Sequence, residues 1–398
     1  MQQTTEKCRP ASARTNTRRP PQTSSGSKPW FVGGQMDLPF LLLTLLLTVM
    51  GLVMLFSASF PSANYETGDP TFYLKRQGLF ALLGLAAMVV MSRMNYQKLR
   101  RYSVLLVGIS LFLLLLVLVP GLGINENGAT RWLGKKGVLT FQPSEIAKLA
   151  VIVFFADSIS KKKNLMETFK YGIRPYLLLL AFYAVLMLLE PHLSGTLLIL
   201  GIGAVLMFVG GTGLKWFALA GIAGAGAIAA AVVLLPELVP YAMGRLSSWR
   251  DPFADPLGEG HQTIQSLYAI ASGGAAGLGL GNSRQKYLYV PEPQNDFIFS
   301  ILCEELGFVG AALTVVLFLL LFLRGMSIAV RARDKFGALL AVGFVVQVVL
   351  QAVLNIAVVT NTIPNTGISL PFFSSGGTSL LMLLGEMGIV LSVSRGES

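Results

Sequence analysis

Val290-Pro-Glu-Pro-Gln-Asn-Asp-Phe-Ile-Phe-Ser-Ile-Leu-Cys-Glu-Glu-Leu-Gly307 joins a long polar segment to a long apolar one, and that junction decides the fold. Pro291 and Pro293 cannot continue a helix and bias their neighbours towards extended geometry, so the approach is stiff. Asn295 is a good helix N-cap, and the run from Phe297 through Phe322 is apolar enough to cross a bilayer. This reading places Asp296 at the mouth of a membrane helix, beside the positive end of its dipole. Glu304 and Glu305 follow about two turns deeper, roughly 12 Å along the axis. Carboxylates at that depth are costly and call for a partner or a function.

Further apolar runs lie to either side of this one. With it they make ten predicted spans, near 38–60, 74–92, 103–120, 144–160, 175–190, 193–211, 214–236, 297–323, 336–360 and 378–394. Of the 398 residues 53% are hydrophobic and 13% charged, whereas a soluble domain carries about 25% charged residues. The expected fold class is therefore an all-α polytopic membrane protein with ten transmembrane helices. Gly-rich stretches such as Gly221–Gly226 read as surfaces where helices approach closely. The formal charge of +11 does not point to nucleic acid, because the basic residues cluster in short loops between spans. Cys8 and Cys303 sit in a tail and in a span, so no disulfide framework is implied. No cleavable signal peptide is visible, since the first apolar run starts only near Leu38.

Residues 1–37, rich in Ser, Thr, Pro and Arg, read as a disordered basic cytoplasmic tail that meets anionic lipid headgroups. The membrane domain then runs over 38–395. An even number of spans puts both termini on one side. With that side inside, the cytoplasmic segments hold 21 of the 31 Lys and Arg residues, Lys161-Lys-Lys163 being the clearest anchor. The positive-inside rule thus gives N-in, C-in. Three external segments are too polar to be mere connectors: Asn125–Gly134 leading into Phe141–Lys148, the loop over 236–296, and Asn361–Ser379.

Several groups there could carry chemistry. Asp296 is either a helix N-terminal acid that complements the macrodipole or a general base at the water–lipid boundary. Arg245, Arg250, Arg284 and Lys286 either snorkel to lipid phosphate or recognise a pyrophosphate-linked substrate. Glu145 and Lys148, three apart on one helical face, read as an ion pair inside the bundle, structural rather than catalytic. Ser374-Ser-Gly-Gly377 is either a backbone nest for an anion or a broken helix start. Gly273–Asn282 follows no strand, so it reads as a close-packed turn rather than a dinucleotide loop, and no Gly-x4-Gly-Lys-Ser/Thr supports ATP-driven transport. His192 and His261 are too few and too far apart for a zinc site, and His192 reads as part of a turn.

Taken together, Glu190-Pro-His-Leu-Ser-Gly195, Arg245 with Trp249-Arg-Asp-Pro252, Gly279-Leu-Gly-Asn-Ser-Arg-Gln-Lys286, Pro291–Gly307 and Pro364–Gly377 resemble the SEDS family. That is the shape, elongation, division and sporulation group of RodA and FtsW, with the FtsW/SpoVE branch the nearer. The likeness spans roughly 38–395. Two departures are Asn295, where many members have Thr, and His192, where Pro-Asp is frequent. The resemblance implies a peptidoglycan glycosyltransferase that polymerises lipid II on the outer face of the cytoplasmic membrane and releases undecaprenyl pyrophosphate. Asp296 matches the family's essential acid and becomes the expected base. Arg245, Arg284 and Lys286 become the expected pyrophosphate contacts, with Ser283, Gln285, Ser374 and Ser375 as further substrate contacts. No cofactor is evident, although a divalent cation, Mg or Mn, could share the charge. A class B penicillin-binding protein (a transpeptidase) and other division proteins are the implied partners, and nucleic acid is not. The alternatives are a lipid II flippase, disfavoured by the absence of repeated halves, and a division scaffold.

Overall fold

The computed structural model describes residues 33–126, 129–135, 139–234, 247–258 and 260–396. The expected tail lies almost wholly outside the described residues, as do Arg245 and the first part of the loop over 236–296. The described chain is mostly helical: α1 (Leu38–Thr67), α2 (Phe72–Arg93), α3 (Leu99–Val117), α4 (Pro143–Lys162), α5 (Arg174–Leu189), α6 (Leu193–Gly210), α7 (Leu214–Leu234), α8 (His261–Gly273), α9 (Ile298–Arg331), α10 (Lys335–Val359) and α11 (Gly377–Arg395).

Among the described residues eight helices are long and apolar enough to cross a membrane: α1, α2, α3 with the turn before it (Tyr96–Val117), α5 with the turn before it (Phe169–Leu189), α6, α9, α10 and α11. The chain is an integral membrane protein. Of the other two expected spans, α7 is apolar over Leu214–Gly226. Its Gly221, Gly224 and Gly226 meet nothing within 4 Å of where a Cβ would stand, so the close helix packing expected there is not seen among the described residues. Helix α4 carries Glu145, Lys148, Asp157, Lys161 and Lys162, yet most of it is buried against α3, α6 and α10. Four of these charges pair within the helix, Lys148 with Glu145 at 2.9 Å and Lys161 with Asp157 at 2.7 Å, and Lys162 donates to the Tyr171 carbonyl at 2.7 Å. A helix screened from lipid by other helices has no need of an apolar surface all round.

Two expectations require correction. The polar segment after α3 is not helical or loose. It forms a three-stranded antiparallel sheet of β1 (Gly123–Glu126), β2 (Ala129–Lys135) and β3 (Leu139–Phe141), with Ile124 opposite Trp132 and Leu133 opposite Phe141. Thr, Ile, Trp and Phe favour strands, and the glycines and asparagines between them mask the alternation. The fold is therefore mostly helical, not all-α. Second, Asn295 is not the N-cap of the long helix: α9 begins at Ile298, and the Asn295 amide instead donates to Glu292 Oε2 at 2.9 Å.

Helix α9 is broken at Gly307, whose φ of 67° and ψ of −167° leave the helical region. The chain after α8 lies against the break. Leu278 N–H and Gly279 N–H donate to the Glu304 and Glu305 carbonyls at 2.9 and 3.0 Å, and Phe308 N–H donates to the Gly274 carbonyl at 2.9 Å. Backbone groups released by the kink are thereby satisfied, as burial in a membrane protein demands. A Cβ on Gly307 would stand 2.3 Å from the Gly277 nitrogen, so glycine is required by space as well as by φ.

Candidate active site

The three polar segments meet at one end of the bundle around a cavity of about 500 Å³. Arg131 and Trp132 reach it from β2, Glu145 and Lys148 from the first turns of α4, His192 from the turn between α5 and α6, Asp296 from the approach to α9, and Gly367–Ser369 and Ser375 from the segment before α11.

Asp296 is half-buried two residues before α9. Its backbone carbonyl accepts from Asn355 Nδ2 at 2.7 Å, and the same amide donates to the Ile368 carbonyl at 2.6 Å. One buried side chain on α10 therefore fixes the acid's segment and the third loop together. One turn earlier on α10, Gln351 donates to Ser369 Oγ at 3.1 Å and accepts from Lys148 Nζ at 3.2 Å. Lys148 is in turn paired with Glu145, and both are nearly buried, at 3% and 9% exposure. The ion pair expected from sequence lines the same cavity as Asp296. Gly367, at φ 67°, lets the acid approach closely: a Cβ there would lie 3.2 Å from Asp296 Oδ2.

The turn Glu190–His192 adds two buried titratable groups. Burial, reinforced by Arg131 and Lys148, pushes His192 down to about 3, so it is neutral at physiological pH, and its Nε2 sits 3.3 Å from Gln142 Nε2. Burial raises Glu190 to about 8, against the opposing pull of Arg131. Arg131 also donates to the Pro191 carbonyl, which ties β2 to this turn.

Other sequence-predicted residues are placed away from the cavity. Lys286 is 3% exposed, and its ammonium donates to Glu305 Oε1 at 2.8 Å, to the Gly281 carbonyl at 2.7 Å and to Ser57 Oγ at 3.2 Å. All three of its donors are used within the protein, and it does not line the cavity that holds Asp296. Ser283 is buried and donates to Glu304 Oε2. The Arg284 and Gln285 amides also donate to the Glu304 carboxylate, at 3.0 Å and 3.3 Å. The Arg284 side chain is exposed and does not line the cavity.

Of the two readings of Ser374–Gly377, the backbone fits the helix start, since α11 begins at Gly377. Ser374 N–H donates to the Leu370 carbonyl, Ser375 N–H to the Gln294 carbonyl and Gly376 N–H to Gln77 Oε1, so these three donors are used within the protein. Ser374 Oγ is held by the Asn295 carbonyl at 2.6 Å, whereas Ser375 does line the cavity. Among the described residues no group of three or more His, Cys, Asp or Glu could hold a metal ion.

The residues that sequence reasoning missed are Arg131, Gln142, His192, Gln351 and Asn355. Gln351 and Asn355 carry the one usable signal: with Gln347 they make three amides spaced four apart inside an otherwise apolar span, on one helical face.

The family described as "Cell cycle protein", FtsW/RodA/SpoVE, matches residues 37–398. Stage V sporulation protein E of Bacillus subtilis is 43% identical over 359 residues, which cover 90% of this chain and 97% of that protein. A protein of Trichlorobacter lovleyi named "Probable peptidoglycan glycosyltransferase FtsW" is 41% identical over 363 residues, covering 91% and 94%. Among solved structures, a chain of a peptidoglycan synthase complex that coordinates polymerization and crosslinking superposes with a TM-score of 0.74 at 32% identity, covering 91% of this chain and 98% of that one. The rod shape determining protein RodA of Thermus thermophilus superposes with a TM-score of 0.66 at 29% identity, covering 90% and 97%.

Proposed function

The chain belongs to the FtsW/RodA/SpoVE family, and from that premise we propose that it is a peptidoglycan glycosyltransferase that polymerises lipid II during cell division. The observation that carries the mechanism is the convergence of Asp296 with the Glu145–Lys148 pair and Arg131 on one cavity at the end of a membrane bundle. In the reaction the sugar 4-hydroxyl of one lipid II attacks C1 of a lipid-linked glycan. The O4–C1 bond forms, the C1–O bond to phosphate breaks, and undecaprenyl pyrophosphate leaves. Asp296 takes the hydroxyl proton as general base. Arg131 and Lys148, the two cations that line the cavity among the described residues, face the developing negative charge of the leaving group. Glu145 and Gln351 hold Lys148 in place for it. Arg284, exposed on the loop before α9, is a lipid headgroup contact outside the cavity. A divalent cation would add to the positive charge, but no step depends on one.

In this reading the chain crosses the cytoplasmic membrane ten times, α4 and α7 included, with both termini inside and the cavity at the outer face. The supporting pattern is the concentration of basic residues in the loops at the end remote from the cavity. A class B penicillin-binding protein is the partner that would crosslink the strands. The test uses purified protein, with and without that transpeptidase, and labelled lipid II. Asp296→Asn is expected to abolish glycan formation while inserting and melting like the unmutated chain. Polymerisation by Asp296→Asn at the unmutated rate would remove Asp296 from the mechanism.

A further inference from the structure

A second cavity, of about 570 Å³, adjoins the one that holds Asp296. The two share Gln262, Pro291 and Asn365, and within that common wall Asn365 Nδ2 donates to Gln262 Oε1 at 3.1 Å. The partition is thus one proline and one neutral hydrogen bond. The chemistry on its two sides differs. The Asp296 cavity is lined by Arg131 and Lys148, whereas the second has no Lys or Arg among the described residues that line it. It is lined instead by Trp249, Asp255 and His261, together with the shared amides.

An indole, a carboxylate, an imidazole and amides suit the hydroxyl and acetamido groups and apolar ring faces of neutral sugars. Without a cation they do not suit a pyrophosphate. Trp249 is also fixed before any ligand arrives. Its Nε1 donates to the Asn361 carbonyl at 3.1 Å, and its own carbonyl accepts from Asn361 Nδ2 at 3.2 Å. A pre-set aromatic wall lowers the ordering cost of binding. The volume falls within the range of small-molecule sites, roughly 300–1,000 Å³.

A polymerase that joins sugars beside Asp296 must also accommodate those already joined. Building on the reading of Asp296 as the centre of glycan polymerisation, we propose that the second cavity is a saccharide subsite for the growing strand, holding neutral sugars beyond the reacting linkage. A ligand held there slows release of the strand between additions, so the subsite governs strand length more than the rate of a single coupling.

The test compares Trp249→Ala, His261→Ala and Trp249→Phe with the unmutated chain in complex with its transpeptidase, using labelled lipid II. Strand lengths are read on a gel, and the first coupled product of two lipid II molecules is timed separately. Mean strand length is expected to fall at least threefold in both alanine variants, with first coupling reduced by less than half and Trp249→Phe restoring most of the length. Unchanged lengths in both alanine variants would overturn the subsite, as would first coupling that falls in step with length. Asp296→Asn is run alongside. If it polymerises, the base assignment fails, while the length ratio of the alanine variants to the unmutated chain still decides the subsite.

Discussion

At Gly367 the backbone and the Asp296 carboxylate stand so close that one added methyl group would touch both. Gly367→Ala places a Cβ 3.2 Å from Asp296 Oδ2 and forces alanine to φ 67°. The left-handed backbone costs roughly 1–2 kcal/mol, and the contact displaces the acid. The turnover number in a lipid II polymerisation assay is expected to fall about tenfold, equivalent to roughly 1.4 kcal/mol, with only a modest drop in melting temperature. An unchanged turnover number would show that the carboxylate tolerates displacement. Glu190 makes a pH-dependent prediction. Its folded value of about 8 lies above the ordinary 4.5, because burial favours the neutral acid. The stability it contributes is complete below pH 4.5, declines as pH rises, and is gone above about 8. The melting temperature of the purified protein should therefore fall between pH 5 and pH 8, and Glu190→Gln should flatten that part of the profile. The cavity position of Asp296 is legible in sequence, because an acid between a Pro-rich approach and an apolar run is unusual. The partners of Lys286 are not legible in sequence, because Glu305 and Ser57 are brought to it only by the fold.

Among the elements, the loop between α8 and α9 is fastened at its base. Lys286–Glu305 and Ser283–Glu304 lie on opposite sides of Asp296 in sequence, so the acid rides on a segment closed by a buried polar cluster. Lys286→Met would leave Glu305, fully buried, without its cation. Removing one partner of a buried pair costs about 3–5 kcal/mol, whereas replacing both with apolar side chains is often close to neutral. Lys286→Met is therefore expected to melt well below the unmutated protein, and Lys286→Met with Glu305→Leu to recover most of that loss. Melting curves in detergent decide it, and a double variant no better than the single one would remove the pairing argument. The apolar spans were readable from hydropathy alone. The break in α9 was not, because glycine is common in membrane helices and only the backbone of Gly274–Gly279 pressed against Gly307 makes this one a kink. The small sheet escaped for a related reason: its strands are short and the segment is dominated by turn-forming residues.

Across the whole molecule, the polar material gathers at one end and the basic loops at the other. Helix α9 starts two residues after Asp296 and ends at Arg331, so those residues are separated by at most about 50 Å at 1.5 Å per residue, the break at Gly307 shortening the span. Near that far end Arg324 pairs with Asp37 at 2.7 Å and Arg100 with Asp334 at 2.8 Å, which ties the segment before α1 to α9 and α3 to the start of α10. A chain that carried lipid II across the bilayer would need polar surface reachable from both leaflets, whereas a polymerase needs it on one. Vesicles in which all copies share one orientation, supplied with lipid II in a single leaflet, separate these cases. Glycan should form at full rate when lipid II lies in the leaflet beside the cavity. From the opposite leaflet it should form only as fast as lipid II crosses a protein-free vesicle. Equal rates from both leaflets would mean that the protein itself moves lipid II, and the one-sided architecture would then require a transport path through the polar interior of α4 and α10.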